Sequence, residues 1–303
     1  MTVGSEGAAS RSQGRRWFLA GSVALLVGRA GLGAAPAAPS AWSCLSGGYR
    51  VVWTNEDIRA VPVGSDDAPG FSARGFAASG FRALVAQMHE IEQAGVVMRR
   101  RLRVVSLLGP LLGLWDSTYD DFARAAHPGG QTRYWTLDLR RPPVPFVRDD
   151  PFALQPAAAF ASGGAVLALS DLFAEAAIRT ALLAAPAVRR LAPRPVNRLP
   201  DLLRQMDRGA ARVPELCVSV PADSLTRFAL VAADAEGVAV RLGLPGAGPC
   251  REQMTELMLR LPRRAVLPAA RGLLAAPLCQ PPAELPPLRL QFAAGNPAAH
   301  DLR

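Results

Sequence analysis

The stretch MRRRLRVVSLLGPLLGLWDSTYDDF, residues 98–122, decides the fold of this chain. Residues 98–109 and 111–122 are rich in apolar and β-branched side chains, and Gly109-Pro110 separates them as a bend. These two segments therefore predict two strands. Residues 131–139 predict a third strand, because their polar and apolar side chains alternate as in a strand with one buried face.

Helical patterns lie before and after these strands. Residues 80–95 repeat apolar side chains at intervals of three and four, and residues 169–183 do so with Ser170 as the expected N-cap. Residues 199–211 predict a further short helix, and residues 228–244 predict a hairpin with an acidic turn. The combination predicts an α+β fold, an antiparallel sheet with helices packed on one face.

The composition excludes several classes of protein. Half of the 303 residues are hydrophobic, 19% are charged and the mean hydropathy is +0.15, so the chain folds and is not intrinsically disordered. Neither a three-residue glycine period nor a sustained apolar heptad is present, which excludes collagen-like and coiled-coil chains. All 34 basic residues are arginine, and the net charge is +9. The densest arginine run, residues 99–103, contains no aromatic residue, so we interpret it as the solvated start of a strand and expect no nucleic-acid partner.

The first 37 residues have the order of a secretory signal. The pair Arg15-Arg16 precedes an apolar stretch, residues 17–28, and a tail of small residues contains the A-x-A site Ala35-Pro36-Ala37. The apolar stretch is shorter than the roughly 20 residues of a spanning helix, which favours a cleaved signal over an uncleaved anchor. An arginine pair directly before Trp-Phe-Leu is similar to the twin-arginine export signals of bacteria.

We therefore expect a periplasmic or otherwise extracytoplasmic protein. Loss of residues 1–37 removes four arginines and one glutamate, which lowers the charge from +9 to +6. We expect no transmembrane helix in the mature chain.

The cysteines agree with export. An even number of cysteines in an oxidising compartment suggests two disulfides. All four lie beyond the signal: Cys44, Cys217, Cys250 and Cys279. Three pairings are possible, and we favour Cys217 with Cys250, which bracket the predicted hairpin, leaving Cys44 with Cys279. The spacings are long and no C-x-x-C occurs, so we expect no metal site.

An ordered set of landmarks runs through the middle of the chain. A Val- and Ser-containing strand at residues 104–107 precedes an Ala-His-Pro turn at residues 126–128 and a strand that ends in Asp138-Leu139. The run Leu-Ser-Asp-Leu-Phe at residues 169–173 follows, and then the hairpin at residues 228–244. This order resembles the extracytoplasmic domain of RsiV-type anti-sigma factors, a domain of undefined function that also stands beside polysaccharide deacetylase modules in cell-wall enzymes.

The resemblance implies an exported stand-alone domain rather than an anti-sigma factor, because no sigma-binding region or spanning helix precedes it. Two features depart from the family pattern: Arg124 and Ala125 replace glycines before the Ala-His pair, and the connection over residues 140–168 is much longer. We divide the chain into a twin-arginine-type signal peptide (1–37), an N-terminal segment with a helix (38–95), the RsiV-like α+β domain (96–262) and a Pro- and Ala-rich C-terminal tail (263–303).

Two functions fit the polar residues of the predicted sheet. In the main interpretation the chain is a non-enzymatic binding domain for a cell-wall polymer or an envelope protein, without a cofactor. The residues that would contact this partner are Trp115, Ser117, Tyr119, His127, Tyr134 and Asp138. In the alternative, a cell-wall hydrolase uses His127 as acid or base together with a carboxylate of a neighbouring strand. The candidate carboxylates are Asp116, Asp120 and Asp121. Simpler roles also fit, since the histidine can cap a turn, the acids can form a solvated edge and the aromatic residues can belong to the core.

Overall fold

The computed structural model describes residues 41–64, 70–86, 95–121, 129–141, 166–247, 250 and 252–294. These residues belong to one compact unit built from three antiparallel sheets and several helices, which confirms the predicted α+β class.

The central sheet contains the three strands predicted from the opening stretch. They are β5 (Val97–Leu108), β6 (Leu111–Asp121) and β7 (Gly129–Asp138). Gly109 has a φ of +56° in the tight turn between β5 and β6, a conformation that a side chain disfavours. The edge of β5 that faces away from β6 pairs with two strands from the C-terminal segment, β11 (Leu278–Cys279) and β12 (Leu288–Ala293). The described part of that segment is thus built into the central sheet.

An N-terminal sheet and one helix cover one face of the central sheet. The elements are β1 (Trp42–Ser46), β2 (Tyr49–Trp53), β3 (Ile58–Pro62), β4 (Phe71–Ser72) and α1 (Ala73–Ala86). Their buried side chains form one core with those of β5, β6 and β7. The helix begins seven residues before the predicted start, because β4 leads directly into it and Ala73, Ala77 and Phe81 are buried. Residues 87–94 of the predicted helix lie outside the described residues.

A third sheet packs on one end of the opposite face. Its strands are β8 (Phe228–Ala233), β9 (Gly237–Pro245) and β10 (Met254–Pro262), with β9 in the middle, which confirms the predicted hairpin. Ser106 Oγ donates to the Leu230 carbonyl at 2.5 Å, and Thr136 Oγ1 donates to the Phe228 carbonyl at 2.8 Å. Gly113 permits this approach, because a Cβ there would lie 2.7 Å from Ser106 Oγ. Within the described part of the chain, the other end of this face borders a concave surface.

Four helices share a core with the apolar face of the third sheet. They are α2 (Leu169–Leu172), α3 (Glu175–Ala184), α4 (Pro186–Leu191) and α5 (Leu199–Ala210). The prediction of one helix with Ser170 as N-cap is wrong, since Ala168 is the N-cap of the single-turn α2 and the chain is extended at Phe173 and Ala174.

Two disulfides join distant parts of the chain. Cys44 of β1 is bonded to Cys279 of β11, and Cys217 is bonded to Cys250, with Cα separations of 6.4 Å and 5.7 Å. This is the pairing that the sequence favoured. Among the residues that the structure describes, no helix is both long enough and apolar enough to span a membrane.

Candidate functional site

Three arginines project from the open end of the central sheet, on the face that carries the third sheet. Arg99 and Arg101 lie on β5, and Arg289 lies on the adjacent β12. Side chains two residues apart share one face of a strand, and directly opposed residues of antiparallel strands share it too. We define the arginine groove as the concave surface, about 560 Å³ in volume, lined by these arginines and by three hydroxyl side chains, Ser117, Tyr119 and Thr132.

The arginine run of the sequence decides which side chains reach this groove. Along β5 the buried residues Met98, Arg100 and Leu102 alternate with the exposed Arg99 and Arg101. The period of two therefore divides consecutive arginines between the two faces of the sheet.

The groove concentrates positive charge. Arg101 and Arg289 are directly opposite one another across the β5–β12 pair, and Arg99 faces Gln291. Like charges in opposed positions destabilise a sheet. Within the described part of the chain, none of the three guanidinium groups has an ion-pair or hydrogen-bond partner, and Glu252 is the only acidic residue that lines the groove. The resulting positive potential attracts anions.

Hydroxyl groups line the opposite wall of the groove. Ser117 and Thr132 are cross-strand partners, and Thr132 Oγ1 donates to Ser117 Oγ at 3.4 Å. Tyr119 lies between Arg99 on β5 and Gly130 on β7. The Glu252 side chain fills the space above Gly130, where a Cβ would lie 2.7 Å from Glu252 Cγ. The groove thus offers cations, hydroxyls and one aromatic ring along adjacent strands.

A buried ion pair lies behind the groove, on the closed face of the sheet. Arg100 binds Asp116 through two parallel hydrogen bonds, from Nε at 2.8 Å and from the second guanidinium nitrogen at 2.7 Å. Trp135 Nε1 donates to the same carboxylate at 2.9 Å. The Arg100 guanidinium also lies 5.0 Å from the ring centre of Phe76 on α1. The pair therefore ties β5, β6, β7 and α1 together.

The charge state of Asp116 follows from these contacts. Burial alone raises the pKa of this carboxyl, but the charge and hydrogen bonds of Arg100 oppose burial strongly enough to hold the pKa below its ordinary value of 3.8. The side chain has no exposed surface. Asp116 is therefore an enclosed carboxylate at neutral pH, and it does not belong to a solvated edge.

Arg133 is the second cation near this carboxylate. Its Nε lies 3.9 Å from Asp116, and its guanidinium stacks 4.6 Å from the ring centre of Trp135. Burial lowers the pKa of Arg133 to about 9, while the charge of Asp116 opposes the shift. The group remains charged at neutral pH, so the network is cationic overall.

Tyr134 and Asp138 are engaged elsewhere. Tyr134 donates from its hydroxyl to Glu256 on β10 at 2.5 Å, and burial followed by this bond raises its pKa to about 12. Asp138 is buried and accepts hydrogen bonds from Arg140 at 2.9 Å and 2.7 Å. Burial raises the pKa of Asp138, but the bonds from Arg140 more than offset this and lower it. Both side chains stabilise the packing around β7.

The structure brings together only some of the residues proposed from the sequence. Ser117 and Tyr119 line the arginine groove, and Trp115 lies on the same face, closer to the third sheet. Asp120 and Asp121 end β6, with Asp121 exposed. His127 lies outside the described residues.

Sequence reasoning missed the groove arginines. The sequence did contain an indication of Arg99 and Arg101. Residues 99–103 lie in a predicted strand, where every second side chain points to the same face. Arg289 carried no such signal, since its pairing with β5 joins positions 188 residues apart.

The described residues contain no group of three or more His, Cys, Asp or Glu side chains suited to a metal ion. No model of a protein family, no curated protein and no solved structure matches the chain.

Proposed function

We propose that this chain is an exported protein of the cell envelope whose central sheet is a non-enzymatic module that binds an anionic polymer of the cell wall. One observation carries the proposal: three exposed arginines converge on one groove, two of them face each other directly, and none has an ion-pair partner among the described residues. An arrangement that opposes folding is typical of a functional site. An anionic ligand would neutralise these charges.

The chemistry of the groove fits such a polymer. Guanidinium groups bind carboxylates and phosphates through two parallel hydrogen bonds, which makes arginine more selective than a simple point charge. The hydroxyls of Ser117 and Thr132 can exchange hydrogen bonds with sugar hydroxyls, and the ring of Tyr119 offers an apolar surface for a sugar face.

Export is supported by two independent features. The chain begins with a twin-arginine-like signal pattern, and its four described cysteines all form disulfides, which persist in oxidising compartments. The resemblance to domains that stand beside cell-wall enzymes agrees with a cell-wall ligand.

The test of binding is co-sedimentation of the oxidised full chain with purified peptidoglycan sacculi, whose peptides carry carboxylates. We expect Arg101→Gln/Arg289→Gln to weaken retention about tenfold or more, because two charge-assisted contacts are lost. Arg50→Gln/Arg271→Gln is the matched control, since it removes the same charge from exposed positions outside the groove. Sacculi whose carboxylates are amidated should retain little protein. Equal retention of both double variants, or no retention of the wild type, would overturn the proposal.

The same incubation separates binding from hydrolysis. In the hydrolase alternative, His127 acts with Asp120 or Asp121, because the enclosed Asp116 is inaccessible to a substrate. Release of soluble wall fragments by the wild type, abolished in His127→Ala, would replace the binding proposal by the hydrolase. We expect neither protein to release soluble wall fragments.

Export is tested separately, with a reporter fused to the full chain. Arg15→Lys/Arg16→Lys should keep the fusion in the cytoplasm, because the twin-arginine pathway reads the arginine pair. Arrival of this variant in the periplasm would contradict the twin-arginine assignment.

A further inference from the structure

A second basic cavity lies between α4 and α5, and none of the residues proposed from the sequence lines it. Its volume is about 620 Å³. Among the described residues that line it, Asp201 is the only acid. We define the helix-pair cavity by the five arginines that surround it, Arg190, Arg194, Arg204, Arg208 and Arg212.

Three of these arginines form a stripe. Arg204 and Arg208 lie on α5, and Arg212 follows its C-terminal end at the same spacing of four residues. Residues four apart on a helix are neighbours on one face, and like charges at this spacing destabilise the helix. Arg204 and Arg208 therefore repel each other along α5, as Arg101 and Arg289 repel each other across two strands.

Ion pairs neutralise only part of this charge. Arg190 pairs with Glu215 at 2.5 Å, and Arg204 pairs with Asp201. In the part of the chain that the structure describes, the side chains of Arg194, Arg208 and Arg212 have neither an ion-pair nor a hydrogen-bond partner.

The helix dipole does not by itself explain these cations. Arginines near the C-terminal end of a helix interact favourably with its dipole, and they commonly donate to the last carbonyls. Arg208 and Arg212 stand near the end of α5 but donate to none of the carbonyls of the described residues. Their guanidinium groups remain available to a ligand.

Close helix packing holds the cavity together. A Cβ at Gly209 would lie 1.9 Å from the carbonyl oxygen of Leu191, so only glycine lets α5 approach the end of α4. This contact places Arg190 and Arg208 around one cavity. The residues that line it also include the apolar Pro193, Pro195 and Val196.

We propose that the helix-pair cavity binds a phosphate group carried by an organic or lipid molecule. Three guanidinium groups, which have no partner among the described residues, can supply paired hydrogen bonds to the oxygens of one or two phosphates. The apolar wall can contact the group that the phosphate is attached to. This site is separate from the arginine groove, because the two share no lining residue.

The test uses the oxidised full chain and two probes of the same chemistry. Calorimetric titration with inorganic pyrophosphate measures binding of a soluble phosphate, and flotation with phosphatidylglycerol vesicles, against phosphatidylcholine vesicles, measures binding of a lipid phosphate. We expect Arg208→Gln/Arg212→Gln to weaken binding of the responding probe about tenfold or more.

Two controls separate a built site from diffuse attraction. Arg208→Lys/Arg212→Lys keeps the charge but loses the paired hydrogen bonds, so it should also weaken binding. Arg50→Gln/Arg271→Gln removes the same charge from exposed positions outside both cavities and should leave binding unchanged. Pyrophosphate binding alone identifies a soluble ligand, and flotation that pyrophosphate reverses identifies a lipid headgroup. Equal effects of all charge-removing variants, full binding by the lysine variant, or no response to either probe would overturn the proposal.

Discussion

Arg100 and its neighbours Arg99 and Arg101 are the same residue type on one strand, yet the two faces of β5 put them to opposite uses. Arg100 points to the closed face, where Asp116 neutralises it through two hydrogen bonds. Arg99 and Arg101 point to the open face, where no described residue neutralises them. On one face arginine is paired within the fold, and on the other it lies opposite a like charge and lines the proposed binding groove.

The difference shows that the surroundings set the role of a charged residue. A buried charge must be paired, because removal from water is costly unless hydrogen bonds and an opposite charge replace the water. An exposed charge is screened and needs no partner, so it remains available to a ligand. The following predictions test this contrast between the two faces.

The largest effect should come from breaking the buried pair. Asp116→Asn leaves Arg100 as a buried cation without its counter-charge, and we expect the free energy of unfolding to fall by about 3–5 kcal/mol. Asp121→Asn, at the exposed end of the same strand, is the control and should change it by less than about 0.5 kcal/mol. Urea unfolding at pH 7 measures both, and a similar loss in the two variants would contradict the contrast.

The second largest loss of stability should come from removing the disulfide that joins the N-terminal sheet to the central sheet. Cys44→Ala/Cys279→Ala frees β1 from β11, and we expect a loss of about 2–4 kcal/mol. The Cys217–Cys250 bond closes 33 residues instead of 235, so Cys217→Ala/Cys250→Ala should cost less in the same urea titration. A larger loss in Cys217→Ala/Cys250→Ala would show that side-chain packing, and not the disulfide, mainly holds the N-terminal sheet on the central sheet.

A smaller effect should appear in the pH dependence of stability. Because the pKa of Asp116 is lower in the folded chain than in the unfolded chain, the folded state binds fewer protons in acid. The contribution of the ion pair is therefore complete above about pH 4 and is lost as the pH falls further. We expect thermal unfolding between pH 7 and pH 2.5 to show that the difference in Tm between the wild type and Asp116→Asn becomes smaller as the pH falls. The difference in Tm between the wild type and Asp121→Asn should stay small at every pH. If the difference for Asp116→Asn did not change with pH, the protonation of Asp116 would not be coupled to unfolding.

The smallest effect, of opposite sign, should come from the open face. Arg101→Gln relieves the repulsion with Arg289 and should raise the free energy of unfolding by about 0.2–1 kcal/mol at low salt. The gain should shrink in high salt, which screens exposed charges. Arg50→Gln, exposed on β2 opposite Leu45 and Val61, should give no such gain. Destabilisation by Arg101→Gln would mean that the groove arginines have a structural role.

Several elements of the fold could be predicted from the sequence. The three strands of the opening stretch, the hairpin at residues 228–244 and the helix over residues 199–211 all have a clear local period. The sequence left three disulfide pairings possible, and the pairing favoured from the position of Cys217 and Cys250 around that hairpin is confirmed. The single helix predicted over residues 169–183 is divided, because Phe173 is extended and forms a bridge with Val266 after one turn.

The sequence by itself determined three of the five strands of the central sheet, the pleat that divides consecutive arginines between two faces, and the α+β class. These depend on backbone geometry and on the spacing of neighbouring side chains. Only the tertiary structure decided which face is closed, which of the arginines meets Asp116, and that Arg289 stands opposite Arg101. Those outcomes depend on contacts between residues far apart in the chain, and local periodicity carries no information about which segments will meet.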